Sequence, residues 1–316
     1  MKLAPIIVFC YNRPWHVEQT LEALSRNVYA DESELYIFCD GPKYDATKEQ
    51  INKIRETRIV VRKKQWCKEV HIVEAERNKG LANSIIDGVS KIIKEYGKVV
   101  VLEDDLITSP YFLKYMNEAL DYYEKFPSVF CISANRPPVN KMFIPSDYEY
   151  DVFVSLRFFS TGWAVWKSRW DNVDWSMSYL DSFMNHPYQI KAFNRGGEDL
   201  TPMLQLQRNN KIDSWAIQFC FAQFRHHAVA ILPCIPYVDN IGFDGSGTHS
   251  GINAIDYRNN VFNAPENPKF VDLLYEDERI VDEFYITCSH CKKQNSILKK
   301  MFVGTVNFIR KMKCKC

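Results

Sequence analysis

Four short apolar runs constrain this chain most: Pro5–Cys10, Glu34–Cys39, Glu69–Val73 and Lys98–Leu102. Each is rich in Val, Ile, Phe or Tyr, the composition of strands buried on both faces. They recur at roughly 30-residue intervals, the length of a β-α-β unit. Helical patterns fill the gaps. Val17, Leu21 and Leu24 stand at i, i+4 and i+7, and Ile51 and Ile54 share one side of a polar segment over 50–58. Leu81, Ile85, Val89 and Ile92 form a stripe at a period of 3.6 residues. A further helix is expected over 110–126, with Pro110 in its first turn and Ser109 as its cap. Strand alternating with helix predicts an α/β fold on an open, mainly parallel sheet flanked by helices. Ligands of such sheets bind beyond the carboxyl ends of the strands. The residues that follow each strand are therefore the place to look for chemistry.

The remaining sequence narrows the classes. Residues 127–175 are rich in aromatics and read as loops with short strands; 198–210 and 214–225 read as helices, and 233–269 as an extended loop region. Forty Lys+Arg face thirty-nine Asp+Glu, a balance that argues against a duplex-binding protein, and no nucleic-acid partner is expected. No apolar run approaches the about 20 residues that a spanning helix needs. The opening Met1-Lys2-Leu3-Ala4-Pro5 lacks the apolar stretch of a signal peptide, so a cytoplasmic location with reduced thiols is expected. Of ten cysteines, Cys10, Cys39 and Cys131 sit in apolar runs and read as small buried hydrophobes. Cys288 and Cys291 form a single CxxC; with Cys314 and Cys316 they either hold zinc or stay free, and free thiols are the expectation. Residues 297–316 interleave apolar side chains with Lys299, Lys300, Arg310, Lys311, Lys313 and Lys315. Such an amphipathic tail suits peripheral association with an anionic membrane, at about 1 kcal/mol per basic residue, or packing against the domain.

The sharpest chemical signal is Val99-Val-Val-Leu-Glu103-Asp104-Asp105. Three carboxylates in a row at the end of a buried strand repel one another unless positive charge sits among them. Hard oxygen donors suit Mg²⁺ or Mn²⁺. An acidic turn of this kind is by itself common. Its context strengthens it, because Arg13 follows the first strand, Asp40 the second, and Asn78 and Gly80 the third. Arg13 suits a phosphate or a base carbonyl, Asp40 a base N–H or ribose hydroxyl, and Gly80 a close backbone approach.

With "FCYNRP", "FCDGP", "NKGLANSI" and "VVVLEDDLITSPYF", the chain resembles GT-A fold glycosyltransferases of the family-2-like kind. Its Glu-Asp-Asp resembles the metal motif of the N-acetylglucosaminyltransferase I group. The resemblance covers residues 4–255 and implies a GT-A domain over 1–270. Within it, 1–108 would bind the nucleotide sugar and 109–270 the acceptor, with 271–316 as a C-terminal extension. It implies Asp105 as the ligand of Mn²⁺ or Mg²⁺, with Glu103 and Asp104 at the ribose or donor sugar. Arg13 and Asp40 would hold the base, with Asn78 near it. Glu198-Asp199 resembles the acidic pair at the start of the acceptor-side helix, which makes Asp199 the general base of an inverting reaction. His249, in a loop with four glycines, resembles the late histidine that completes the metal site. Gly162 and Trp163 resemble the loop beside the donor sugar, with Trp163 stacked on its face. Trp166 and Trp170 read as core, and Asp213-Ser214-Trp215 as a contributor to the acceptor side.

Together these readings predict a metal-dependent, inverting transferase. Its donor would be a nucleotide-diphospho-sugar, UDP-linked by preference, and its acceptor a saccharide or lipid-linked glycan in surface polysaccharide assembly. The rivals are a sugar-phosphate nucleotidyltransferase and a nucleotide-sugar or glycan-binding protein without catalysis. The first would carry a glycine-rich basic loop where Tyr11-Asn12-Arg13-Pro14 stands; the second has no need of Glu198-Asp199 or His249.

Overall fold

The computed structural model describes residues 1–245, 261–272 and 275–289. Its strands are β1 (Ile6–Cys10), β2 (Glu34–Cys39), β3 (Glu69–Glu74), β4 (Lys98–Glu103), β5 (Leu106–Thr108), β6 (Val129–Ser133), β7 (Val152–Ser155), β8 (Trp163–Trp166), β9 (Val229–Pro233) and β10 (Val238–Asn240). Its helices are α1 (Pro14–Ser25), α2 (Lys48–Val60), α3 (Leu81–Tyr96), α4 (Phe112–Tyr123), α5 (Lys167–Trp170), α6 (Leu180–Met184), α7 (Pro187–Phe193), α8 (Leu200–Arg208), α9 (Trp215–Arg225) and α10 (Glu278–Cys288).

Eight strands form one sheet in the order β3-β2-β1-β4-β8-β6-β9-β7. β1, β2, β3 and β4 run parallel, as do β6 and β9, while β8 and β7 are antiparallel to their neighbours. This is the open, mainly parallel α/β sheet that the alternating pattern predicts. β5 and β10 make a separate antiparallel pair beside it.

Both faces of the central strands β1 and β4 are covered, which explains their continuous apolar runs, while β2 is half-buried on one face and the edge strand β3 on both. In β1, Ile6, Val8 and Cys10 join the core under α1 and α4, while Ile7 and Phe9 join the one under α3 and α9. The α3 stripe lies in that second core, with Ile85, Val89 and Ile92 buried. Thr47 and Gln50 cap α2 reciprocally. α4 starts at Phe112 rather than Pro110, because the Ser109 hydroxyl accepts from the Tyr111 N–H and closes a turn ahead of the helix. The described part of the expected extension is no free tail: α10 sets Ile280 and Phe284 into the second core. Segment 297–316 and Cys291, Cys314 and Cys316 lie outside the described residues; Cys288 is a free thiol. Among the described residues, no helix is long and apolar enough to cross a membrane.

Candidate active site

β4 lies between β1 and β8 and delivers its carboxylates at one rim of the sheet. Asp104 is 4% exposed and its backbone carbonyl accepts from Thr20 of α1. Thr20 in turn accepts from the Leu106 N–H, so α1 clamps the acidic turn from both sides. Arg13, just ahead of Pro14 in the first turn of α1, reaches back and pairs with Asp104, and with Asp105 at 2.9 Å. Burial pushes the Glu103 carboxyl up to about 8, with the Asp105 and Asp104 charges adding to it. Burial also raises Asp104 to about 6, against the pull of Arg13. Burial works against the Arg13 charge as well, yet the two aspartates hold the guanidinium protonated beyond its usual range. One guanidinium among three carboxylates leaves the turn short of positive charge. The donor set therefore fits a hard divalent cation, all three carboxylates line the cavity, and Asp105 is less buried than Asp104.

The neighbouring strand ends are tied together through Asp40. Its Oδ1 accepts from the Gly41 and Lys79 N–H groups at 2.8 and 2.9 Å, and its Oδ2 from Asn78 Nδ2 at 2.9 Å. Asn78 Nδ2 also donates to the Gly41 carbonyl. The loops approach so closely that a Cβ on Gly41 would sit 2.5 Å from the Arg77 nitrogen. Gly80 caps α3 at φ +78°, a left-handed conformation that favours glycine.

The β5–β10 pair brings a distant loop over this turn. The Ile241 N–H donates to the Asp105 carbonyl, and a Cβ on Gly242 would lie 2.1 Å from Asp105 Oδ2. Gly242→Ala is therefore expected to displace the Asp105 carboxylate while leaving the buried sheet intact. Any chemistry that depends on the Asp105 position should fall by about tenfold or more with little change in melting temperature, read by steady-state assay and thermal denaturation. Unchanged turnover would show that the Asp105 position is not critical.

These residues line one cavity of about 790 Å³. Arg13, Asp40, Asn78, Gly80, Glu103, Asp104 and Asp105, seven of the expected site residues, meet there. Three others are placed differently. Trp163 is 1% exposed, stacked on Trp215 with ring centroids 4.8 Å apart and packed beside Trp170. Stacking on a donor sugar is ruled out for it in this arrangement, since its faces are already covered by other rings. Gly162, at φ +69°, packs against Val238, Ala134 and Leu102; its neighbour Thr161 is the part of that loop that reaches the cavity. Asp199 stands at the start of α8 but does not cap it. Its carboxylate is held by Arg157 at 2.7 and 3.0 Å and does not line the cavity. Glu198 beside it accepts from the Tyr285 hydroxyl of α10. His249 lies outside the described residues.

The cavity also includes Asp213, which the sequence reads as a contributor to the acceptor side, and four residues of α3 given no part there. Asp213 lines it from the loop before α9, its Oδ2 3.3 Å from where a Cβ on Gly80 would stand. Ser84, Asp87, Gly88 and Lys91 line it from α3. Their i, i+3, i+4, i+7 spacing is a second, polar stripe beside the apolar one and was legible at helical period. Gly88 allows α3 to close on β1, since a Cβ there would meet the Phe9 ring at 2.7 Å.

The family model described as glycosyl transferase family 2 matches residues 6–182, more than half of the chain. The chain belongs to glycosyl transferase family 2. That match runs from β1 through the acidic turn and on to α6. An Arabidopsis thaliana alpha-1,3-mannosyl-glycoprotein 2-beta-N-acetylglucosaminyltransferase is 24% identical over 110 residues, which is 34% of this family 2 chain and 23% of that protein. The chain thus matches under a quarter of that curated relative's length. Among solved structures, S. aureus TarS is similar at 13% identity and a TM-score of 0.41, over 75% of this chain and 36% of that one. Glucosyl-3-phosphoglycerate synthase from Mycobacterium tuberculosis is similar at 12% identity and a TM-score of 0.34, over 67% and 82%.

Proposed function

We propose that this family 2 chain is a metal-dependent, inverting glycosyltransferase. It would move a sugar from a nucleotide-diphospho-sugar, UDP-linked by preference, to a hydroxyl of a saccharide or lipid-linked glycan. The observation that carries this reading is the convergence of Arg13, Asp40, Asn78 and the acidic turn 103–105 on one cavity at the strand ends. Asp40, already organised by the Asn78 side-chain amide and the Lys79 N–H, offers its remaining acceptor sites to a base or ribose. Arg13 supplies a fixed cation for phosphate oxygens. Asp105, with Asp104 and Glu103 behind it, would hold Mn²⁺ or Mg²⁺, and His249 is the further ligand that the family resemblance implies. Bound there, a divalent ion supplies positive charge for the departing diphosphate.

The acceptor oxygen attacks the anomeric carbon from the side opposite the diphosphate. The new carbon–oxygen bond forms as the bond to the diphosphate breaks, and the hydroxyl proton goes to a carboxylate. We assign that carboxylate to Asp213, because it faces the cavity while Asp199 is engaged by Arg157. Surface polysaccharide assembly at the cytoplasmic face, with segment 297–316 on an anionic membrane, completes the proposal.

The test is a thermal-shift panel of UDP, GDP and dTDP, each with and without Mn²⁺. A ligand at 100 times its dissociation constant stabilises the native state by about 2.7 kcal/mol. A Mn²⁺-dependent shift is expected with UDP and is expected to vanish in Asp105→Asn. No shift with any nucleotide would overturn the donor assignment.

A further inference from the structure

At the other end of the same strands stands a second group of metal-ligating side chains. Glu34 and Glu69 open β2 and β3, and the parallel register sets them directly opposite each other. Like charges facing across strands are destabilising. Two residues on, His71 faces Tyr36 across the same pair of strands and stacks on its ring at 4.5 Å. The stack turns His71 Nε2 toward the carboxylates, 3.5 Å from Glu69 and 4.0 Å from Glu34. That nitrogen is shielded from solvent and has no hydrogen-bond partner. Glu34 is itself held in place: the Tyr96 hydroxyl donates to its Oε2 at 2.5 Å, and the Tyr36 and Tyr96 hydroxyls meet at 2.7 Å.

We propose that Glu34, Glu69 and His71 form a second divalent-cation site, for a borderline ion of the zinc class, separate from the donor cavity. One ligand atom from each of the three residues lies within 4.8 Å of the other two. Tetrahedral zinc with bonds of about 2.1 Å places its ligands about 3.4 Å apart. The His71–Glu69 spacing of 3.5 Å already matches, and the His71–Glu34 spacing of 4.0 Å is about half an ångström longer. One imidazole and two carboxylates suit zinc better than magnesium, and they leave one position for water. Tyr96 acts behind Glu34 as an orienting donor. The position is about 17 Å of strand away from Asp40 and the acidic turn, so an ion here takes no part in sugar transfer. It would instead join the edge strand β3 to β2 across an otherwise repulsive pair.

The experiment is calorimetric titration of the full chain with ZnCl₂, in wild type, His71→Ala, Tyr96→Phe and Asp105→Asn, with thermal denaturation as a check on folding. Wild type is expected to bind one more equivalent than His71→Ala. Tyr96→Phe should keep that equivalent with about 10- to 100-fold weaker affinity, and Asp105→Asn should keep it unchanged. Zinc held by cysteines elsewhere would survive every one of these substitutions. Equal stoichiometry in wild type and a folded His71→Ala would overturn the site. If His71→Ala does not fold, Glu69→Gln takes its place, with the same two outcomes. Loss in Asp105→Asn alone would assign the zinc to the acidic turn and overturn the proposal while leaving the transferase reading intact.

Discussion

Asp105→Ala is expected to lower sugar transfer by about a thousandfold or more while leaving the fold intact. Asp105 and Asp104 both line the cavity and both pair with Arg13, and Asp105 is the less buried of the two. Its removal would take away the carboxylate proposed to hold the divalent ion and would leave Arg13 paired with Asp104 alone. Stabilising charge on a leaving group is worth several kcal/mol, and each about 1.4 kcal/mol is a factor of ten. The cost to stability should be small, because Asp105 belongs to neither hydrophobic core. The measurement is turnover of donor and acceptor across a Mn²⁺ series, alongside a melting curve. A wild-type rate in Asp105→Ala would remove the acidic turn from the chemistry.

Asp213→Asn should cut turnover by about 10²- to 10⁴-fold, the usual value of a general base, and spare nucleotide binding. Asp199→Asn should act on stability instead. It breaks the bidentate pair with Arg157 and leaves a largely buried guanidinium without its counter-charge. Removing one partner of such a pair costs about 3 kcal/mol. The melting temperature should therefore drop clearly, while the rate per folded molecule changes less. Steady-state kinetics paired with denaturation separates the two residues. A collapse of turnover in Asp199→Asn at unchanged stability, with Asp213→Asn active, would return the base to Asp199. It would also require Arg157 to release its carboxylate when acceptor binds.

What the amino-acid sequence determined by itself is the local frame. The β2 run was legible to its end residues, Glu34–Cys39, because Leu35, Ile37 and Cys39 are buried on one face and the half-buried Tyr36 and Phe38 alternate with them on the other. The α3 stripe was legible because one turn of helix returns a side chain to the same face. The acidic turn and Asp40 followed, since each stands directly after a strand and open α/β sheets bind ligands there. Tertiary structure alone decided the partners of side chains whose neighbours come from distant segments. Trp163 reads in the sequence as a sugar platform, but in the fold Trp170 and Trp215 stack on it. Asp199 had the position of a helix-start base, but Arg157 takes both of its oxygens. Asp213 gained the cavity because α9 sets it over Gly80. Glu34 and Glu69 became a facing pair only through the register of two parallel strands. Periodicity records which face of an element is buried, and it holds no information about which other element will cover that face.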